Sequence, residues 1–184
     1  MLRKKTLRLL DFSEINMDEF ENLAKESFLD AHGKSAPKED LEEYLQNKYT
    51  KNALSADLKE EGNAYFFAGD HEGLKGYLKL GFDKAFPPKI NTNFSKLDRI
   101  YIHKTAYGTG LSEFLLQESI RIARQQNQKG IWLATWVENK RAIRFYEKHG
   151  FRVVDAYDFP ISKTHYNPNH IMLLEFTENK KSPH

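Results

Sequence analysis

Gly108 and Gly110 bracket Thr109 directly ahead of the apolar-periodic stretch Leu111–Gln126, and this spacing is the first hint of chemistry. The preceding Lys96–Ile102 is rich in β-branched and apolar residues, so the run reads as strand, glycine-bearing loop, helix. The first N–H groups of such a helix lack partners within it and point back at the loop. With the partial positive charge of a helix start, and close backbone approach permitted at the two glycines, they suit a phosphate or pyrophosphate. No Gly-Lys-Ser/Thr follows, which excludes the mononucleotide P-loop, and the three-glycine dinucleotide fingerprint is also absent. Taken alone, the same loop serves equally well as a plain turn.

Other chemistries are excluded by composition. The 184 residues include no cysteine, which removes disulfides, thiolate metal sites and cysteine nucleophiles together. The seven histidines show no metal-ligand spacing, so no metal is expected; His103, just after the strand, is an alternative base. Basic residues number 28 against 26 acidic, spread along the chain for a net +2, so no concentrated basic face calls for nucleic acid. No segment approaches the ~20 apolar residues of a membrane span. The basic start Met1–Thr6 has no apolar stretch behind it, so no secretory signal is read and a cytoplasmic protein is expected.

The positioning elements follow from periodicity and turn residues. Thr6–Asp11 reads as a first strand. Ser13 or Asn16 can cap a helix over Met17–Asp30, with Phe20, Leu23, Ala24 and Phe28 on one face. Pro37–Tyr49 and Leu54–Glu61 read as two further helices, the first opened by its proline. Ala64–Gly69 and Leu74–Phe82 form a hairpin across Asp70–Gly73, and Asp83–Asn93 is a long loop. Ile131–Val137 is a continuous apolar run suited to a central strand. Lys140–His149 is helical with Gly150 behind it. Arg152–Phe159 and His170–Phe176 close the fold around a loop over Pro160–Asn169. The sum is one α/β (α+β) domain over residues 1–176. It has a mixed, mostly antiparallel central sheet of about seven strands with helices on both faces, and a polar tail over 177–184.

Two blocks carry a resemblance. Leu97–Leu116 with Ile131-Trp132-Leu133, and Asn139-Lys140-Arg141-Ala142-Ile143-Arg144-Phe145-Tyr146 through His149-Gly150-Phe151, resemble the GCN5-related N-acetyltransferase (GNAT) superfamily. The order of elements matches that fold over nearly the whole chain. Arg99-Ile100-Tyr101-Ile102, Trp136 and Ile171-Met172 look like the PaiA-type polyamine acetyltransferases within it. In the family loop pattern Gln/Arg-x-x-Gly-x-Gly/Ala, the corresponding residues here are Tyr107, Gly110 and Ser112, so a tyrosine replaces the cationic or amide side chain. Lys104, Lys140 or Arg141 can restore the charge.

The resemblance implies acetyl-CoA as co-substrate and a small primary amine, such as spermidine or spermine, as acceptor. The pantetheine arm is then expected along Lys96–Ile102, through the backbone of Ile100, Tyr101 and Ile102, an augmentation of an open strand edge. The pyrophosphate is expected at Tyr107, Gly108, Thr109, Gly110, Leu111 and Ser112. Asn139 is expected to hold the pantetheine while capping its helix. Tyr146 matches the family tyrosine that protonates the leaving sulfur, and Asp98 an acidic residue acting as base through water. With no cysteine available, direct attack in a ternary complex is expected. Trp132 is expected in the core, Trp136 as a wall of the site. Glu39, Asp40, Glu42 and Glu43 would hold a polyamine's distal ammonium, or else form a solvated helix face. The alternatives are a protein or peptide N-acetyltransferase, which predicts a wider groove, and a non-catalytic acetyl-CoA sensor. A homodimer is left open by the sequence.

Overall fold

Helices form where a capping side chain and an apolar stripe coincide. The computed structural model describes residues 8–85 and 93–176; the expected tail and most of the loop after Asp83 lie outside them. Helix α1 spans Met17–His32, and Asn16 is its cap, accepting from the Asp18 and Glu19 N–H groups at 2.9 and 3.3 Å. Ser13 belongs instead to a short 3-10 turn over Phe12–Glu14, capped by Asp11. Pro37 stands just ahead of α2 (Lys38–Lys48), at the cap rather than in the first turn. Helix α3 is Lys51–Asp57, starting three residues before the expected Leu54 because the Thr50 hydroxyl caps it at the Ala53 N–H. The remaining helices, α4 (Leu111–Gln125) and α5 (Lys140–Lys148), lie close to their expected bounds.

Among the described residues, seven strands make one sheet. They are β1 (Arg8–Leu10), β2 (Asn63–Asp70), β3 (Gly73–Gly81), β4 (Ser95–Ile102), β5 (Gly130–Trp136), β6 (Arg152–Pro160) and β7 (Tyr166–Glu175). Their order is β1-β2-β3-β4-β5-β7-β6, antiparallel throughout except for β4 against β5. That exception is the crossover through α4. Strand β7 begins four residues before the expected His170, so the loop after Pro160 shrinks to residues 161–165. Pro168 disguises the strand in the sequence. It is tolerated because the β5 ladder ends opposite Asn169, and on that side Pro168 uses only its carbonyl, which accepts from the Val137 N–H at 3.0 Å.

The alternation of strand side chains builds a core on each face. Leu78, Leu80, Leu97, Ile131 and Leu133 pack beneath α4 with Leu111 and Leu115. Phe67 and Tyr77 pack on the other face against Phe20, Leu23 and Phe28 of α1, Leu41 of α2 and Leu54 of α3. Among the described residues no helix is long and apolar enough to cross a membrane. Leu115 is wholly enclosed. Leu115→Ala is expected to cost about 2–5 kcal/mol of stability, read from urea unfolding midpoints.

Candidate active site

Strand β4 does two unusual things. Along β3 its register slips: Lys79 faces Arg99 but Leu80 faces Leu97, so Asp98 is an extra residue. Such a bulge re-aims side chains. Leu97 and Ile100 pack with the core beneath α4, whereas Asp98 and Arg99 both turn to the opposite face. Along β5, β4 pairs only at Ser95 and Lys96 and then diverges. The His103 N–H donates to the Lys75 carbonyl at 2.8 Å, so by alternation Ile100 and Ile102 turn their backbone groups to the free edge. The backbone of Tyr101 faces β3 instead, and its ring lies with Tyr77 at 5.8 Å in the aromatic core, so it borders the cleft without offering edge donors.

A cleft of about 380 Å³ opens along that edge, bordered by Ile100, Ile102, Gly108, Ser112, Asn139 and Tyr146 among others. Gly108 and Gly110 have φ of 75° and 85°, and neither faces an atom that would fill the space before it. The N–H groups of Gly108, Gly110, Leu111 and Ser112 have no partner among the described residues, and no side chain caps α4. Thr109 differs from its neighbours: its hydroxyl and N–H both turn to the Ala106 carbonyl, making it a turn former. Leu111 offers only its N–H, its side chain being buried. The tyrosine at 107 does not leave the loop without charge. Arg141 lays its guanidinium over the Tyr107 ring at 4.8 Å, and both border the cleft. Lys140 is turned away, donating to the Val137 carbonyl at 2.7 Å.

Asn139 caps α5 through its Oδ1, accepting from Ala142 N–H at 3.2 Å, which leaves its Nδ2 for the cleft. The Tyr146 ring packs on Phe145 and Phe151 at 5.3 and 5.4 Å. Its hydroxyl has no hydrogen-bond partner among the described residues, and burial pushes its pKa up. From α1 the buried Ser27 hydroxyl, also without a partner, faces the same cleft.

Across β4 lies a second cavity of about 510 Å³ with aromatic walls, including Phe28, Tyr44, Tyr49, Trp132, Tyr157 and Phe159. Lys79, Lys96 and Arg99 also line it, with Asp98 and Asp155. Asp98 is held by Lys96 at 2.6 Å and lies 3.8 Å from Lys79. His32, Asp98, Arg99 and Tyr101 border both spaces, so the two meet at the bulge.

The chain over residues 17–151, well over half its length, matches the model of the acetyltransferase (GNAT) family. It belongs to that family. An uncharacterised N-acetyltransferase from the pepI 3′ region of Lactobacillus delbrueckii subsp. lactis is 27% identical over 144 residues, 78% of this chain and 83% of that protein. The PaiA N-acetyltransferase of Thermoplasma acidophilum, solved with coenzyme A, superposes with a TM-score of 0.72 at 18% identity, over 93% of this chain and 99% of that one. Spermidine N-acetyltransferase from Vibrio cholerae, solved with CoA and spermine, gives 0.62 at 18% identity over 92% and 94%.

This GNAT protein is thus an acetyl-CoA-dependent acyltransferase, and its fold is the one the sequence implied. His103 does not reach either cavity; it caps the 3-10 turn after β4 and lies 3.6 Å from Glu26. Glu39, Asp40, Glu42 and Glu43 border neither cavity, and Glu42 pairs with Lys38 on the helix surface. Trp136 walls not the acetyl region but the outer groove beside Tyr107 and Arg141. Trp132 packs with Phe94, Ile171 and Leu173 while bordering the aromatic cavity, its ring beneath the Lys96 ammonium at 5.3 Å.

The sequence reading named no site residue on α1, and so missed His32. Its place in the last turn looks like an ordinary helix end; Phe28 lies one turn back on the same helix, and only the fold sets His32 against Trp136. Burial pulls its pKa down to about 4, so it is neutral at pH 7 and does not repel an incoming ammonium. Because the unfolded chain binds this proton more tightly, stability rises with pH between about 4 and 6.5 and is flat above in respect of this group. Replacing His32 by Asn is expected to flatten that part of a urea-midpoint-against-pH profile.

Proposed function

We propose that this acetyltransferase moves the acetyl group of acetyl-CoA to the primary amine of a small molecule, by direct attack in a ternary complex. The free β4 edge carries the reading, since it joins the unpaired N–H groups of the Gly108–Ser112 loop to the aromatic cavity. Acetyl-CoA supplies the thioester carbonyl that the amine attacks. Ile100 and Ile102 would hold the pantetheine amides on their exposed backbone groups. The N–H groups of Gly108, Gly110, Leu111 and Ser112 would hold the diphosphate, with Arg141 in the place of the missing cation at 107. The Asn139 Nδ2 and the buried Ser27 hydroxyl are further polar groups suited to the arm.

Tyr146 keeps its proton because burial raises its pKa, so its hydroxyl is placed to hydrogen-bond the departing sulfur and stabilise the thiolate. An alkylammonium, with a reference pKa of roughly 10.4, must lose a proton before attacking. Asp98, where the two spaces meet, is the group placed to receive it, directly or through water. Without cysteine in the chain, no cysteinyl acyl intermediate intervenes.

A small acceptor is favoured over a polypeptide by how the aromatic cavity is closed. His165 Nε2–H donates to the Ser35 carbonyl at 2.8 Å, and Asn167 Nδ2 donates to the Ser35 hydroxyl at 2.7 Å. Those bonds tie the β6–β7 hairpin to the α1–α2 connection, and Tyr44 of α2 meets Phe159 of β6 at 6.1 Å. A polyamine, the acceptor implied by the resemblance, gains less here: the expected carboxylates of α2 lie outside, and the cavity sets Lys79, Lys96 and Arg99 against Asp98 and the exposed Asp155.

Tyr146→Phe is expected to lower turnover roughly 10²-fold with little change in CoA affinity, measured by thiol release and calorimetry. Unchanged turnover would remove Tyr146 as the acid. Intersecting double-reciprocal initial-rate plots are expected for the ternary complex, and parallel lines would exclude it.

A further inference from the structure

Arg99 is the most demanding charge in the molecule. Its side chain is only 13% exposed, yet its five N–H donors meet tyrosine hydroxyls rather than a close carboxylate: Nη1 donates to Tyr65 at 3.3 Å, and the Tyr77 hydroxyl is also within its reach. The guanidinium lies over the Tyr49 ring at 4.5 Å. Its nearest carboxylate, Asp57, stands 4.0 Å away and is already engaged by Lys79 at 2.9 Å and by the Tyr65 hydroxyl.

The neighbouring charges do not complete the pairing. Lys79 lies between Asp57 and Asp98, and Asp98 is bonded more closely to Lys96. Three cations therefore share two carboxylates around the inner part of the aromatic cavity. Asp155, the other acid bordering it, is exposed on β6 and accepts from the Ala156 N–H beside it. A buried cation without full pairing is costly unless something else supplies the anion.

Resting on the amine-transferase reading above, we infer that the acceptor carries a carboxylate as well as its primary amine, and that Arg99, backed by Lys79, binds that carboxylate. The planar fork has free N–H groups for a bidentate pair, and the low-dielectric aromatic surroundings strengthen it. The bulge at Asp98 is what puts Arg99 and Asp98 on one face: the anion is taken by the first while the amine lies near the second, beside neutral His32. An acceptor of this kind satisfies the surplus positive charge, whereas a polycation adds to it.

The test uses the full-length enzyme with acetyl-CoA and matched acceptors: ω-aminocarboxylates of three to six carbons and α-amino acids, n-alkylamines of equal length, and spermidine. At least a tenfold advantage in kcat/KM is expected for the best aminocarboxylate over its matched alkylamine. Arg99→Met is expected to abolish that advantage, chiefly through KM, while alkylamine turnover and CoA binding by calorimetry change far less. Should the variant fail to fold, the wild-type comparison decides by itself. Equal or better turnover of alkylamines or spermidine overturns this inference and leaves the transferase standing. Turnover of no amine, with acetyl-CoA still bound, overturns both.

Discussion

Everything chemical in this molecule depends on β4 being hydrogen-bonded along one side and left free along most of the other. Lys96 pairs with Trp132, and beyond that point β4 and β5 separate, so the backbone groups of Ile100 and Ile102 look into the gap. An interior strand with an open edge would normally invite another strand. Here the gap is flanked by α1 on one side and by α5 on the other, which leaves a narrow cleft in place of a strand. The bulge at Asp98 adds the second half of the design, carrying one charged pair of side chains through to the far face while Leu97 and Ile100 stay in the core.

Charge around that bulge is arranged as a network rather than as isolated pairs. Asp57 at the end of α3 binds Lys79 and the Tyr65 hydroxyl, and Lys79 in turn approaches Asp98. The tyrosines nearby are pushed to higher pKa by burial, so they remain neutral and act as hydrogen-bond and π partners for Arg99 and Lys79. An aromatic environment tolerates the guanidinium without neutralising it, which leaves electrostatic attraction available for something that enters.

Two local substitutions of role show how the same chemistry is reached by different side chains. Tyr107 stands where the family pattern has a cation or amide, yet its ring holds Arg141 from α5 against the loop, so charge arrives from another element. The hairpin after β6 is short, and Ser35 binds it from across the cavity. That contact of one serine with one histidine and one asparagine narrows the opening over the aromatic walls.

The sequence by itself determined the order and kind of elements, the Gly108–Ser112 loop and the Asn139–Phe151 block, because these rest on local matters: periodicity, caps and glycine conformations. It placed Tyr146 and Asn139 on the right helix and Ile100 and Ile102 on the right strand. The start of α3 and of β7 escaped it, since Thr50 and Pro168 act through a cap and an edge pairing that no local pattern announces. Only the tertiary structure decided which groups meet. The bulge is a mismatch between β3 and β4, so neither strand alone shows that Asp98 and Arg99 share a face. Likewise Ser27 and His32 of α1, Lys79 of β3 and Arg141 of α5 join the site from three separate elements, and the meeting of those elements is a property of packing over long sequence separations.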